Sequence, residues 1–156
     1  MVQRGPADRP AGTAADKMNM HLSISLESGF LNVVATGKFS LSEAKHTFLQ
    51  MLDAVVQHKC VKVLFDGRGL TGKPDRMERF YYGEFVARAV TEYRDRGVST
   101  GTQFAYVLSE PVLDSGRFGE TVACNRGMYV KAFDNHAEAL RWLGITPAGR
   151  DDAGVA

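Results

Sequence analysis

From Met20 to Ser28 apolar and polar residues alternate strictly. Leu22, Ile24 and Leu26 fall on one side, and His21, Ser23, Ser25 and Glu27 on the other. A period of two marks a half-buried strand. Ser28-Gly29 is a turn signal before a second apolar run, Phe30–Thr36, which Gly37 ends, so the two runs predict a hairpin. The period then changes. Leu41, Ala44, Phe48, Leu52, Val55 and Val56 recur at helical spacing up to about His58. Ser40 and Glu43 form a capping box at the start of that helix.

Residues 61–66 are apolar and β-branched apart from Lys62, and Asp66 closes this central strand. Gly67, Gly69 and Gly72 then predict a tight loop. Asp75 and Glu78 make a second capping box. The helix it opens carries an apolar stripe of Met77, Tyr81, Phe85, Val86, Ala89, Val90 and Tyr93, with Gly97 as its stop. Thr102–Ser109 reads as a strand before Glu110-Pro111. A shorter helix over 115–126 is capped by Asp114 or Ser115 and terminated by Gly127. Tyr129–Phe133 is the last strand. Asn135 with Glu138 opens a final helix bearing Ala139, Leu140, Trp142 and Leu143.

The order is β-β-α-β-α-β-α-β-α. Alternating strands and helices demand parallel strands with helices packed on the sheet, and the leading hairpin makes the sheet mixed. The fold class is therefore α/β, with a mixed, mainly parallel sheet of about five strands. Residues 18–145 form one domain. Residues 1–17 and 146–156 are rich in Ala, Gly, Pro and charge, and are expected to be a disordered leader and tail.

Bulk properties narrow the partners. The formal net charge is +1 over 156 residues, so no global field draws the chain to nucleic acid or an anionic membrane. No apolar run approaches the roughly 20 residues that span a bilayer, and the first residues lack a secretory apolar segment. The expectation is a cytoplasmic protein without a membrane span. Cys60 and Cys124 form no framework or metal spacing and read as two buried thiols in a reducing compartment.

Open α/β sheets hold their ligands beyond the carboxyl ends of the strands, which makes residues 61–76 the place to look. Arg68, Lys73 and Arg76 surround the glycines. With loop amides and a helix N-terminus they suit a phosphate or a carboxylate, although the spacing is not that of a Walker A loop. The plainer alternative is a solvated loop. Asp66, Glu110 and Asp134 each follow a parallel strand, and three convergent carboxylates would suit Mg²⁺. The plainer alternative is that each caps a turn or a helix. Arg68 stands where an aspartate-based phosphotransfer loop would carry a second carboxylate or a hydroxyl. Tyr81, Tyr82 and Phe85 read as core and rim, or as the lining of an apolar groove.

The strand order resembles the STAS fold of bacterial anti-sigma-factor antagonists of the SpoIIAA type. Three pieces are similar to a SpoIIAA-like, or STAS/SEC14-like, bacterial branch: VKVLFDGRGLTGKP at 61–74, NRGMYVKAF at 125–133 and FDNHAEALRWLG at 133–144. The resemblance implies a non-enzymatic module that binds a partner protein or a small ligand. The serine that the antagonists phosphorylate, near the start of the second helix, corresponds to Asp75 by ungapped count from Asp66. No serine lies between Asp66 and Arg94, and Thr71 is the only hydroxyl in the loop, so an antagonist-type phosphorylation switch is not expected.

The reading that follows is a non-catalytic STAS-like module without a cofactor. It recognises a partner protein or a small anionic or lipid-like ligand through Asp66, Arg68, Thr71, Lys73, Arg76 and Tyr81. The rival is a Mg²⁺-dependent hydrolase or phosphotransfer enzyme using Asp66, Glu110 and Asp134. A third reading is self-association as a homodimer, through an edge strand or an exposed helix face.

Overall fold

The computed structural model describes residues 19–114 and 116–145. The expected leader and tail, and Ser115 as a helix cap, lie outside the described residues. Five strands form one sheet in the order β1-β2-β3-β4-β5. They are β1 (Met20–Glu27), β2 (Phe30–Lys38), β3 (Lys62–Thr71), β4 (Gln103–Val107) and β5 (Val130–Phe133). β1 and β2 pair antiparallel as a hairpin; β2, β3, β4 and β5 pair parallel. The helices are α1 (Leu41–His58), α2 (Arg76–Tyr93), α3 (Phe118–Asn125) and α4 (His136–Leu143). The α/β class, the strand count and the mixed pairing are as the sequence predicts.

Alternation along the strands builds two cores. Val63, Phe65, Phe104, Tyr106, Val130 and Ala132 face one side, beneath α1, α2 and α3. Leu64, Ala105, Val107 and Phe133 face the other and meet Ala139, Leu140 and Leu143 of α4. The caps form: Ser40 Oγ accepts from Glu43 N, and Asn135 accepts from Glu138 N. Only Asp75 and Glu78 close a reciprocal box. The Glu43 carboxylate accepts instead from the Asn19 and Met20 amides at 2.9 and 2.7 Å, which ties α1 to β1. The Asp114 carboxylate accepts from the Phe118 amide at 2.9 Å, at the start of α3.

Four further expectations are corrected. Gly67 and Gly69 do not form a loop, because β3 continues to Thr71; only Gly72, at φ +102°, turns the chain after it. Val34 pairs with Asp66 and Thr36 with Gly69, so β3 carries one extra residue, a bulge. Gly67 suits the crowded inner side of this bulge, where a Cβ would stand 2.7 Å from Leu108. Gly37 likewise lies inside β2 rather than ending it. Its φ is +103°, and a Cβ there would meet the Asn19 carbonyl oxygen at 1.8 Å.

The α2 stripe is rotated at its first turns. Met77 and Tyr81 are exposed, while Gly83, Val86, Ala87, Ala89, Val90 and Tyr93 are buried. Two buried thiols are not found either: Cys60 is half-buried and Cys124 is exposed. The Cys124 thiol donates to the Val130 carbonyl at 3.2 Å.

Candidate functional site

At the carboxyl ends of β3 and β4 the core is incompletely filled. A cavity of about 120 Å³ lies between the sheet and helices α2 and α3. Phe65, Leu70, Tyr106 and Leu108 form its floor; Tyr82, Gly83 and Val86 of α2 and Ala123 of α3 form its wall. Pro74, Val112 and Leu113 reach it from the connections. An apolar cavity of about 150 Å³ can hold a benzene molecule, so this one suits a small ring or a short alkyl segment.

Two of the polar groups inside satisfy each other. The Tyr82 and Tyr106 hydroxyls lie 2.9 Å apart. Burial is the main cause that pushes both phenols well above their ordinary pKa, so they stay neutral near pH 7. Phe65 stacks on Tyr106 with ring centroids 4.6 Å apart, and Tyr82 meets Tyr106 edge-on at 6.4 Å. The pair is a hydrogen-bonded polar point in an apolar chamber.

The segment after β4 roofs this chamber, and two arginines hold it. Arg79 of α2 donates to the Val112 and Pro111 carbonyls at 2.7 and 2.8 Å. Arg117, in the left-handed region at φ 55°, donates from Nη1 to the Ala132 carbonyl of β5. Its buried Nε has no partner among the described residues. Glu120 accepts from the Ala132 amide at 2.7 Å. Asp114 is held below the usual carboxylate range, first by the Phe118 amide.

The structure divides the six residues singled out from the sequence. Phe65 faces the cavity, so its neighbour Asp66 faces the α4 side. There Arg68 grips Asp66 through Nε and Nη2 at 2.9 and 2.7 Å. That bond lowers the Asp66 pKa and raises that of Arg68. Arg68 is therefore neutralised within its own strand. Thr71 is exposed and reaches the Gly37 carbonyl at 3.4 Å. Lys73 is exposed. Arg76 stacks over Phe118 at 3.9 Å. Tyr81 is 46% exposed and packs edge-on against Phe80. None of the six lines the cavity.

The cavity residues missed by the reading were Arg79, Tyr106 and Arg117. Arg79 stood in the polar column of the helix pattern, and its carbonyl partners lie more than thirty positions away. The unabsorbed signal was Gly83, a glycine in mid-helix. A Cβ there would stand 2.7 Å from the Gly119 carbonyl oxygen, so it marks the close crossing of α2 and α3. The carboxylate cluster is not assembled. Glu110 and Asp134 are exposed, and among the described residues no three His, Cys, Asp or Glu side chains come within reach of one cation.

The hairpin, the three parallel strands that follow it, and helices on both faces define a SpoIIAA-like, or STAS, fold. A solved structure shares it. An anti-sigma factor antagonist from Mycobacterium paratuberculosis superposes with a TM-score of 0.53 at 13% identity, covering 80% of this chain and 94% of that one. An uncharacterised protein with a SpoIIAA-like fold from Shewanella loihica gives 0.47 at 15% identity, with the same coverage. No protein-family model matches the chain, and no curated protein matches it by sequence. Among the described residues no helix is long and apolar enough to cross a membrane.

Proposed function

We propose that this protein is a non-catalytic binding module whose cavity takes the apolar part of a small amphipathic molecule. The carrying observation is the chamber of about 120 Å³ at the strand ends, mainly apolar, with the Tyr82–Tyr106 pair inside and Arg79, Asp114, Arg117 and Glu120 at its margin. Such a lining suits an apolar group with one hydrogen-bonding atom at its end. The non-catalytic reading rests on what lines it. Its phenols are kept protonated by burial, and its carboxylates are engaged by backbone amides.

Calorimetric titration of the full chain with octanoate and with octanol tests the reading. Saturable binding of one molecule per chain is expected, and Val112→Phe, which fills the chamber, should abolish it without loss of fold. Absence of binding by both probes, or binding indifferent to Val112→Phe, would overturn the proposal.

A second reading is favoured by Met77 and Tyr81, which stand 53% and 46% exposed at the start of α2. An apolar pair in the first turns of α2, which Arg76 opens, suits a protein partner. The name of the Mycobacterium protein, an anti-sigma factor antagonist, supports that reading. A Met77→Glu/Tyr81→Glu variant that keeps every partner captured by the native protein would count against it.

A further inference from the structure

The two edges of the sheet are built differently. β5 is four residues long and carries Lys131, features that discourage a further strand. β1 is eight residues long and pairs with β2 in unbroken register from Met20 to Glu27, without a bulge, a proline or a lysine. Its outer edge pairs with no strand among the described residues. Leu22, Ile24 and Leu26 lie opposite the buried Ala35, Val33 and Leu31, and so share the face beneath α1. Yet Ile24 is 36% and Leu26 56% exposed. Leu22 packs half-buried against the core, so the alternation of this strand describes an apolar row that the described residues leave uncovered from Ile24 to Leu26.

The sequence of that edge is self-complementary. Read outward from Ile24, it runs Ser23 and Ser25, then Leu22 and Leu26, then His21 and Glu27. An antiparallel pair of two copies related by a two-fold axis at Ile24 would place Ile24 against Ile24 and Leu22 against Leu26 on one face. Ser23 would meet Ser25, and His21 would meet Glu27, on the other. In the single chain Glu27 accepts only the Ser25 hydroxyl, at 2.9 Å among the described residues, and His21 is exposed. A two-fold contact needs one patch to complement itself, and this heptad does so in size, polarity and charge.

We propose that β1 is the dimer interface of this protein. Two copies join edge to edge in the register centred on Ile24, making one continuous ten-stranded sheet, twice the five of one chain.

Sedimentation equilibrium of the full chain over a wide concentration range provides the test, with circular dichroism as the check on folding. A mass twice that of the chain is expected. Ile24→Lys should raise the dimer dissociation constant by at least about tenfold, because it sets like charges against each other at the axis. His21→Glu should weaken the dimer by setting carboxylates opposite each other at both ends. Adding Glu27→Lys should restore it, and only this register gives that rescue. His21 and Glu27 are both exposed, so these variants report on the contact even where Ile24→Lys disturbs the strand. A full chain that stays monomeric overturns the proposal and leaves the edge to a different strand. A dimer unchanged by all the variants places the contact elsewhere and overturns it equally.

Discussion

Two residue pairs show how identity and position combine. Asp66 and Arg68 lie two apart in a bulged strand, and their side chains meet as a two-pronged ion pair. Because the Asp66 pKa is lowered in the folded state, its contribution is present at neutral pH and is lost as pH falls through the depressed value. Arg68 is 48% exposed, so the pair is worth roughly 0.5–1 kcal/mol after solvent screening. Urea unfolding should therefore show Asp66→Asn destabilised by about that much at pH 7, and the difference should vanish in strong acid. Tyr82 and Tyr106 behave differently, being inside. Tyr82→Phe leaves the Tyr106 hydroxyl without its partner and should cost roughly 1–3 kcal/mol, while replacing both tyrosines by Phe should recover part of the loss. A double-mutant cycle measures that coupling. A cycle with purely additive losses would show that the hydroxyls do not depend on each other.

At the scale of elements, the crossing of α2 over α3 decides the shape of the chamber. Gly83 costs about 1 kcal/mol of helix propensity relative to alanine. Contact geometry opposes that gain, since a Cβ would meet the Gly119 carbonyl oxygen at 2.7 Å and Val122 at 3.1 Å. The obstacle is backbone, which cannot rotate away, and overpacking of this kind costs typically 1–3 kcal/mol. Gly83→Ala is accordingly expected to destabilise by about 1 kcal/mol net in denaturant unfolding, against its intrinsic preference. A stabilised variant would show that the helices can part freely. The roof segment depends on Arg79 in a similar way. Removing its two bonds to Pro111 and Val112 carbonyls should cost roughly 1.5–3 kcal/mol and speed amide exchange in residues 108–114.

For the whole molecule, the chamber at the strand ends is a place where sheet and helices leave space. A ligand that binds only the folded chain stabilises it by mass action, by about 2.7 kcal/mol at a hundredfold excess over Kd. For a domain of this size that corresponds to a rise in Tm on the order of 10 °C. Octanoate should raise Tm in the native chain and not in Val112→Phe. The proposed dimer makes a separate demand, a Tm that climbs with protein concentration in the native chain and not in Ile24→Lys.

The elements were legible in the sequence because their signals are local. Helix caps at Ser40, Asp75 and Asn135 act over three residues, and strand and helix periods act over a few turns. Those signals determined the element order and, through it, the mixed sheet. The apolar row of β1 was also written there, as the alternation of Leu22, Ile24 and Leu26, but not the fact that Ile24 and Leu26 are left exposed. The candidate site was less legible, since it is made by distant partners. The bulge that extends β3 exists only through its pairing with β2. The inward turn of Tyr82 in place of Tyr81 depends on Tyr106, 24 residues later. Arg79 became a half-buried clasp because carbonyls more than thirty positions away came to it. Sequence alone determined which elements form and in what order. Tertiary structure decided which face each side chain presents and where the core stays unfilled, because packing and hydrogen bonding across the fold outweigh local preference.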